Sequence, residues 1–253
     1  MCEKMHIKIC KSLLGIHRTS TNVAVLSELG RFPIHFDILK AMLSYWHRLE
    51  NLDPDCSGLL KNAFVESKYL FHKKCPSWYR TLQAMVSDIQ GVKYLPSIRS
   101  YKLKDTIKKI LSEYYLKCWH SDWNLHSSKK LRCYCSFKTN FGFERYLSHV
   151  KKFEHRKNIT RLRISPHRLQ IERGRYQGIH KEERQCLRCD SSDIDDEKHF
   201  LFSCSHLNED REKIYDDNNF SQLNPTEKLI WLMAVDNPDI LTRISNMVQK
   251  ANV

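Results

Sequence analysis

Hydrophobic residues in the first half of the chain recur at spacings of three and four residues, the period of an amphipathic α-helix. One such run, at residues 34–49, predicts a helix that buries the face its members share. A second run, at residues 103–118, predicts a longer helix. The first run is Ile34, Ile38, Met42, Tyr45 and Leu49; the second is Leu103, Ile107, Ile110, Tyr114 and Cys118, with Lys104, Lys108 and Lys109 on the opposite side.

The rest of the chain also favours helices. Stretches 57–71, 77–89 and 143–155 predict helices, whereas 160–165 alternates polar and apolar residues and predicts either a short strand or the start of a helix. Near the C-terminus, Asn224 and Asn237 each precede a proline, the arrangement of a capped helix start. Because strands and helices do not alternate, we expect a mainly α fold, an irregular helical assembly.

Composition excludes several functional classes. Only seven of the 253 residues are glycine, and neither glycine-rich phosphate-binding motif occurs, which argues against Rossmann and P-loop enzymes. Lys4, His6, Lys8 and Lys11 interrupt the apolar residues at the N-terminus, so we expect no signal peptide. No apolar run is long enough to span a membrane. The expected location is intracellular, in nucleus or cytoplasm, without a membrane partner.

The formal net charge of +13 is unevenly distributed. Residues 129–189, here called the basic strip, contain 17 basic and 5 acidic side chains, whereas residues 190–253 contain 6 basic and 13 acidic ones. Basic residues interleaved with aromatic ones are typical of surfaces that contact RNA or DNA phosphates; the alternative is a solvated basic face over a core that holds the aromatics. The predicted contacts are Lys129, Lys130, Arg132, Lys151, Lys152, Arg156, Lys157, Arg161, Arg163, His167, Arg168, Arg173 and Arg175.

The most specific local pattern is Cys-x2-Cys-x9-His-x4-Cys, formed by Cys186, Cys189, His199 and Cys204. Three thiolates and one imidazole complete a tetrahedral Zn²⁺ site, which leaves no position for a catalytic water. We therefore expect one structural zinc, which would also fold the acidic loop between the ligand pairs. His206 is a competing nitrogen ligand that ranks below His199. The full expectation for the fold is a helical assembly with a small zinc-stabilised segment.

These features divide the chain into four segments. They are a helical domain at 1–128, a basic nucleic-acid-binding segment at 129–185, a zinc-knuckle segment at 186–206 and acidic C-terminal helices at 207–253. Cys133 and Cys135 lack a second pair nearby and are expected to be ordinary thiols. Tyr215, Asp216 and Asp217 resemble the paired carboxylates of polymerases, but the spacing differs and no palm sheet is predicted. We expect no catalytic residue and no enzymatic activity.

Taken together, the strip and the metal motif resemble a known family. The stretches that carry the resemblance are KLRCYCSFKTNFGFERYL, RLRISPHRLQIERGRY, ERQCLRCDSSDIDDEKHFLFSC and, near the start, LLGIHRTSTNVAVLSELGRFPI. They resemble the C-terminal region of non-LTR retrotransposon polyproteins, which follows the reverse transcriptase domain and ends in a zinc knuckle. The resemblance covers nearly the whole chain and is most specific in residues 129–211.

The resemblance implies which residues serve which purpose. The basic segment before the knuckle is matched by Arg163, Ser165, His167, Leu169, Glu172, Gly174 and Arg175, and the metal ligands by the four residues named above. Such a region is thought to hold element RNA or target DNA while the polymerase works, so the polymerase domain is a further implied partner.

The chain also departs from that family's pattern. Nine residues separate Cys189 from His199, whereas the retroviral nucleocapsid knuckle has four residues between the corresponding ligands. The resemblance therefore does not imply that this site reads bases. Because a palm and an endonuclease are missing, the chain looks like a fragment, or a decayed or domesticated piece. The leading hypothesis is a nucleic-acid-binding accessory region of a retrotransposon reverse transcriptase that contacts RNA or DNA without polymerase activity of its own. The alternatives are a zinc-containing protein-interaction scaffold, in which the acidic tail pairs with the basic strip, and a non-functional retroelement relic.

Overall fold

The structure, a computed structural model, describes residues 2–53, 58–126, 131–215, 220 and 222–253. Within these residues the fold is mainly α, as predicted, and β structure is limited to two isolated bridges. Contacts along the chain define two compact units. Unit 1 contains residues 1–3 and 32–121, and unit 2 contains residues 4–31 and 122–253. The four-segment division made from the sequence stays a prediction.

The helices are short apart from three long ones in the first half of the chain. In chain order the described α-helices are α1 (Cys2–Leu13), α2 (Asn22–Glu28), α3 (Ile34–Glu50), α4 (Gly58–His72), α5 (Trp78–Val86), α6 (Ser100–His126), α7 (Tyr134–Phe137), α8 (Tyr146–His149), α9 (Phe153–Arg163), α10 (Gln170–Tyr176), α11 (Asn208–Glu212), α12 (Pro225–Ala234) and α13 (Pro238–Lys250). The 3₁₀ turns are Val92–Ser97, Lys181–Glu183 and Ser205–Leu207, and His199–Ser203 is π-helical.

In unit 1, the buried face of helix α3 includes the predicted Leu49 but is rotated away from two other predicted residues. Ile38 and Tyr45 are 45% and 40% exposed, so two of the five predicted core residues face solvent. The aromatic residues explain the rotation, since Phe36 packs edge-on against Tyr115 with ring centroids 5.3 Å apart. The residues of α3 that are buried instead include Phe36, Leu39, Leu43 and Trp46.

Helix α6 follows its prediction at first and then departs from it. Leu103 and Ile107 are buried as expected, and the three lysines opposite them are exposed. Beyond Ile107 the buried row continues in steps of four residues through Leu111, Tyr115 and Trp119. This row places the larger aromatic rings in the core, so the predicted Ile110, Tyr114 and Cys118 are only partly buried.

In unit 2, the single helix predicted over 143–155 is wrong, because α8 ends at His149 and α9 begins at Phe153. The break is stabilised by Arg156, whose Nη1 donates hydrogen bonds to the carbonyls of Val150 and Lys151 at 2.9 and 2.7 Å. In the ambiguous stretch 160–165, residues 160–163 form the last turn of α9, so the stretch is neither a strand nor the start of a helix.

The two C-terminal helices begin where their sequence signals predict. The Asn224 side chain accepts hydrogen bonds from the backbone of Thr226 and Glu227, and Glu227 accepts one back from the Asn224 backbone, which completes a capping box. Asn237 caps α13 through the Asp239 N–H at 2.9 Å. Helix α13 packs against α9, where Asn158 donates to the Ser245 hydroxyl at 3.1 Å.

Candidate metal centre

The predicted ligands come from two local elements of unit 2. Cys186 and Cys189 lie on a tight turn in which the Arg188 N–H points at the Cys186 sulfur at 3.4 Å. His199 begins the π-helical turn and Cys204 follows directly after it. The Asp196 carboxylate accepts the His199 N–H at 2.9 Å, so it fixes the start of this turn. The two elements therefore present their donor atoms to one point.

The geometry of this cluster suits a tetrahedral metal ion. One donor atom from each of the four residues lies within 4.8 Å of all the others. The sulfurs of Cys186 and Cys204 are 3.9 Å apart, and the Cys189 sulfur is 3.3 Å from His199 Nε2. Zinc–ligand bonds of 2.3 Å to sulfur and about 2.0 Å to nitrogen give tetrahedral edges of roughly 3.5–3.8 Å. The cluster can therefore bind a metal ion.

The surroundings of His199 Nδ1 indicate how the imidazole would be oriented toward a metal ion. Nδ1 is buried without a hydrogen bond and lies 3.4 Å from the Asp193 carboxylate. Ligating imidazoles commonly donate their second N–H to a carboxylate. Nε2 is thus the nitrogen that faces the thiols. His206 is exposed and outside the cluster, which agrees with its lower rank.

The two thiols of the Cys-x2-Cys turn differ in pKa. Burial raises the pKa of Cys186 to about 12. Burial also acts to raise the pKa of Cys189, but hydrogen bonds with Ser191 and with the other two thiols bring it down to about 6. A divalent metal that binds at neutral pH would therefore displace a proton from Cys186.

The loop between the ligand pairs also holds the start of α10. The Asp195 carboxylate accepts the Gln170 N–H at 2.8 Å, and its carbonyl accepts the Ile171 N–H at 3.1 Å. Its other carboxylate oxygen pairs with Arg188, which lies between the two cysteines of the turn. Since Asp195 is 1% exposed, the metal loop and the first turn of α10 form one packed element.

A buried ionic network joins the basic strip to the same loop. Glu197 is fully buried and accepts hydrogen bonds from Arg132 at 2.8 Å and His167 at 2.9 Å. Burial acts to raise the pKa of Glu197, but His167 and Arg132 hold it well below its usual range. Arg132 also pairs with Glu172, which in turn pairs with Arg175.

A second buried network lies between α2, α9 and the loop before α8. Arg163 is 2% exposed and pairs with Glu28, which is 0% exposed, and with Glu144. Its remaining Nη1 donates to the Met233 carbonyl. Desolvation disfavours the charged guanidinium, but the neighbouring Glu28 outweighs this and raises the pKa of Arg163 above its usual value.

The predicted nucleic-acid contacts thus fall into different environments. Arg163 and His167 are buried in ionic networks, so they cannot meet a phosphate at the surface and are corrected to structural residues. Arg132 and Arg175 are partly exposed but already paired with acids. Lys157 pairs with Glu154, and Arg156 stabilises the break before α9. The remaining predicted contacts are Lys151, Lys152, Arg161, Arg168 and Arg173, together with Lys129 and Lys130, which lie outside the described residues.

The acidic partners Glu28, Glu197 and Asp195 were not predicted as site residues. Glu28 lies 135 residues from Arg163 in the chain, so no local spacing could have indicated this pair. Of the acids in these networks, only Glu172 could have been singled out from the sequence, because it is a lone acid among arginines. Cys133 and Cys135 lie outside the metal cluster formed by the described residues, as predicted. Asp216 and Asp217 lie outside the described residues.

Comparisons with known proteins give no information on function, so the function is inferred from the geometry of unit 2. No protein-family model, curated protein or solved structure matches the chain. In the part of the chain that the structure describes, every helix is too short or too polar to cross a membrane.

Proposed function

We propose that unit 2 is a nucleic-acid-binding accessory module in which a structural zinc at the Cys186 cluster supports a basic surface. The observation that carries the proposal is the pair formed by Arg161 and Arg168. Burial and the nearby positive charge of Arg168 lower the pKa of Arg161. Neither arginine forms an ion pair with any described residue. Arg168 donates one hydrogen bond to the Asn252 side chain at 3.0 Å, so a polyanion would relieve this repulsion without breaking an ion pair.

The surrounding residues extend the same surface chemistry along the strip. Lys151, Lys152 and Arg173 are exposed and likewise form no ion pair with described residues. Phe153, next to Lys152, is 43% exposed and offers a ring on which a base can stack. Because these contacts are cationic and aromatic, they suit phosphates and unpaired bases without selecting a sequence.

The family resemblance gives this module a biological setting. In that proposal the chain is the region that follows a retrotransposon reverse transcriptase, holds element RNA or target DNA, and makes no DNA by itself. The donor set supports zinc as the metal, since three thiolates and an imidazole form a closed structural site. Metal analysis of the purified protein is expected to give one zinc per chain, and another metal or none would contradict this assignment.

Binding is expected to weaken when the like-charged pair is removed. The variant Arg161→Ala with Arg168→Ala should bind single-stranded RNA about tenfold more weakly, and the slope of log affinity against log salt should fall by about 1.4. Fluorescence anisotropy at several salt concentrations, with RNA and then duplex DNA, measures both. The control is Lys108→Ala with Lys109→Ala, two exposed lysines of α6 outside the strip. Salt-independent binding by the unmodified protein would contradict the proposal.

A protein-interaction scaffold remains the second candidate, and a specific observation favours it. Acids of the acidic region 190–253 do pair with the strip, since Glu197 binds Arg132 and Asp236 binds Arg145 and His149. These contacts lie within one chain and involve neither Arg161 nor Arg168. A protein that binds zinc but neither RNA nor DNA would favour the scaffold or a relic.

A further inference from the structure

A pocket of about 290 Å³ lies next to the last metal ligand in unit 2. Its walls come from the segment that follows Cys204 and from the start of α12. The lining residues are Phe202, Asn208, Arg211, Glu212, Tyr215, Phe220 and Lys228. The volume is near the lower end of small-molecule sites, so it suits one compact ligand.

Arg211 supplies the main polar group of this pocket. Its side chain is 9% exposed, and its Nη2 donates to the Cys204 carbonyl at 2.6 Å and to the Asn208 side chain. Its Nη1 is buried and finds no hydrogen-bond acceptor among the described residues. A buried guanidinium donor without a partner is unfavourable, and a bound anion at this position would satisfy it.

The charges on the pocket wall favour an anion. Lys228 adds a second cation, and it forms no ion pair with any described residue. Its Nζ lies 5.3 Å from the Phe220 ring centroid, close to the pocket wall. Among the described residues that line the pocket, Glu212 is the one carboxylate, and it is exposed. An arginine and a lysine that converge on one small pocket suit a phosphate group.

Three aromatic side chains form the apolar part of the pocket wall. Tyr215 and Phe220 stack with ring centroids 4.3 Å apart and planes 8° apart. Phe202 lies against both rings, at 5.9 and 6.0 Å. The Tyr215 hydroxyl is already bonded to the Leu201 carbonyl at 3.2 Å. Phe220 is 5% exposed, so the apolar ring surface open to a ligand comes mainly from the half-buried Phe202 and Tyr215. Such a wall suits a planar aromatic ring.

We infer that this pocket binds a nucleotide, with the phosphate at Arg211 and Lys228 and the base against the aromatic side chains. A single ligand then uses both the cations and the rings. The site is separate in sequence from the Arg161 and Arg168 pair, so the inference goes beyond the proposed function and does not depend on it.

Isothermal titration calorimetry with adenosine monophosphate, on the metal-loaded full chain, tests the assignment. Lys228→Ala is expected to weaken binding about fivefold through loss of the phosphate contact. Glu212→Gln is expected to tighten it about twofold because a like charge is removed. The matched control is Lys213→Ala, an exposed lysine beside Glu212 that does not line the pocket. Arg211 is left intact because it bonds the carbonyl of a metal ligand.

Adenosine and inorganic phosphate distinguish the sources of binding. Both are expected to bind at least tenfold more weakly than the nucleotide, since each uses one half of the pocket. Equal binding of phosphate alone, equal binding of adenosine alone, or no binding of nucleotide at millimolar concentration would each overturn the inference. The Arg161→Ala and Arg168→Ala variant should keep its nucleotide affinity while it loses RNA affinity, so failure of one proposal is separable from failure of the other.

Discussion

A protein in which Arg163 is replaced by methionine is expected to lose about 3–5 kcal/mol of its free energy of unfolding. The guanidinium is the cation that Glu28 and Glu144 share, and methionine fills its volume without its charge or donors. Glu28 would be left with the Tyr146 hydroxyl, which donates to it at 2.7 Å but carries no charge. The remaining cost is that of a buried carboxylate without a counter-ion. Urea denaturation followed by circular dichroism measures the change.

Two further variants make this result specific to the buried network. Arg173→Met removes an exposed arginine of the same strip and should change the free energy of unfolding by less than about 0.5 kcal/mol. Adding Glu28→Gln to Arg163→Met removes the stranded charge and should recover a large part of the loss. A loss below about 1 kcal/mol in the single variant would mean that Arg163 is not the charge that stabilises this core.

The buried networks show why charge along a sequence is a poor guide to a binding surface. Thirteen residues of the strip were predicted as phosphate contacts because basic residues are dense in it. Sequence density does not reveal direction, and Arg163 turns inward because Glu28, on a helix far earlier in the chain, is also buried. His167 and Glu197 repeat this pattern over a separation of 30 residues. Only side chains without such distant acids remain available to a ligand.

Local signals were more reliable where the physics is itself local. The starts of α12 and α13 were predicted because Asn224 and Asn237 bond backbone N–H groups two or three residues away. The four metal donors also follow from sequence spacing, since all lie within 19 residues and two tight turns can present them together. What spacing could not predict is the role of Asp195, because its partner helix precedes the motif.

The buried faces of the helices were predicted better than the distant ion pairs but less well than the helix caps. The period of α3 was correctly identified, but several apolar rows shared it, and the row with Ile38 and Tyr45 was chosen over the row with Phe36 and Trp46. The choice between rows is made by tertiary packing, in which the largest rings gain most from burial. Sequence periodicity therefore predicted the helix and left its orientation to the core.

The largest expected effect on unit 2 is that of metal loss. Cys189→Ser removes one thiolate and should reduce the metal content from one ion per chain to below about 0.1 after dialysis. Apparent binding energies of structural zinc, about 10–16 kcal/mol in small peptides, are comparable with the whole stability of a domain. The loop that holds Asp195 should then lose its order. Cys75→Ser, an exposed cysteine of unit 1, is the matched control and should keep the metal.

Hydrogen exchange at α10 distinguishes a structural metal from an incidental one. The amides of Gln170 and Ile171 are bonded to Asp195, so their protection should fall at least about 100-fold in Cys189→Ser. The Asp239 amide, bonded to Asn237 at the start of α13, reports whether the remainder of unit 2 is still folded. Loss at α10 alone would mean that the metal orders the helix that carries Arg173, and RNA affinity should fall with it. Unchanged protection at Gln170 would separate the metal from the basic surface and would contradict the view that one supports the other.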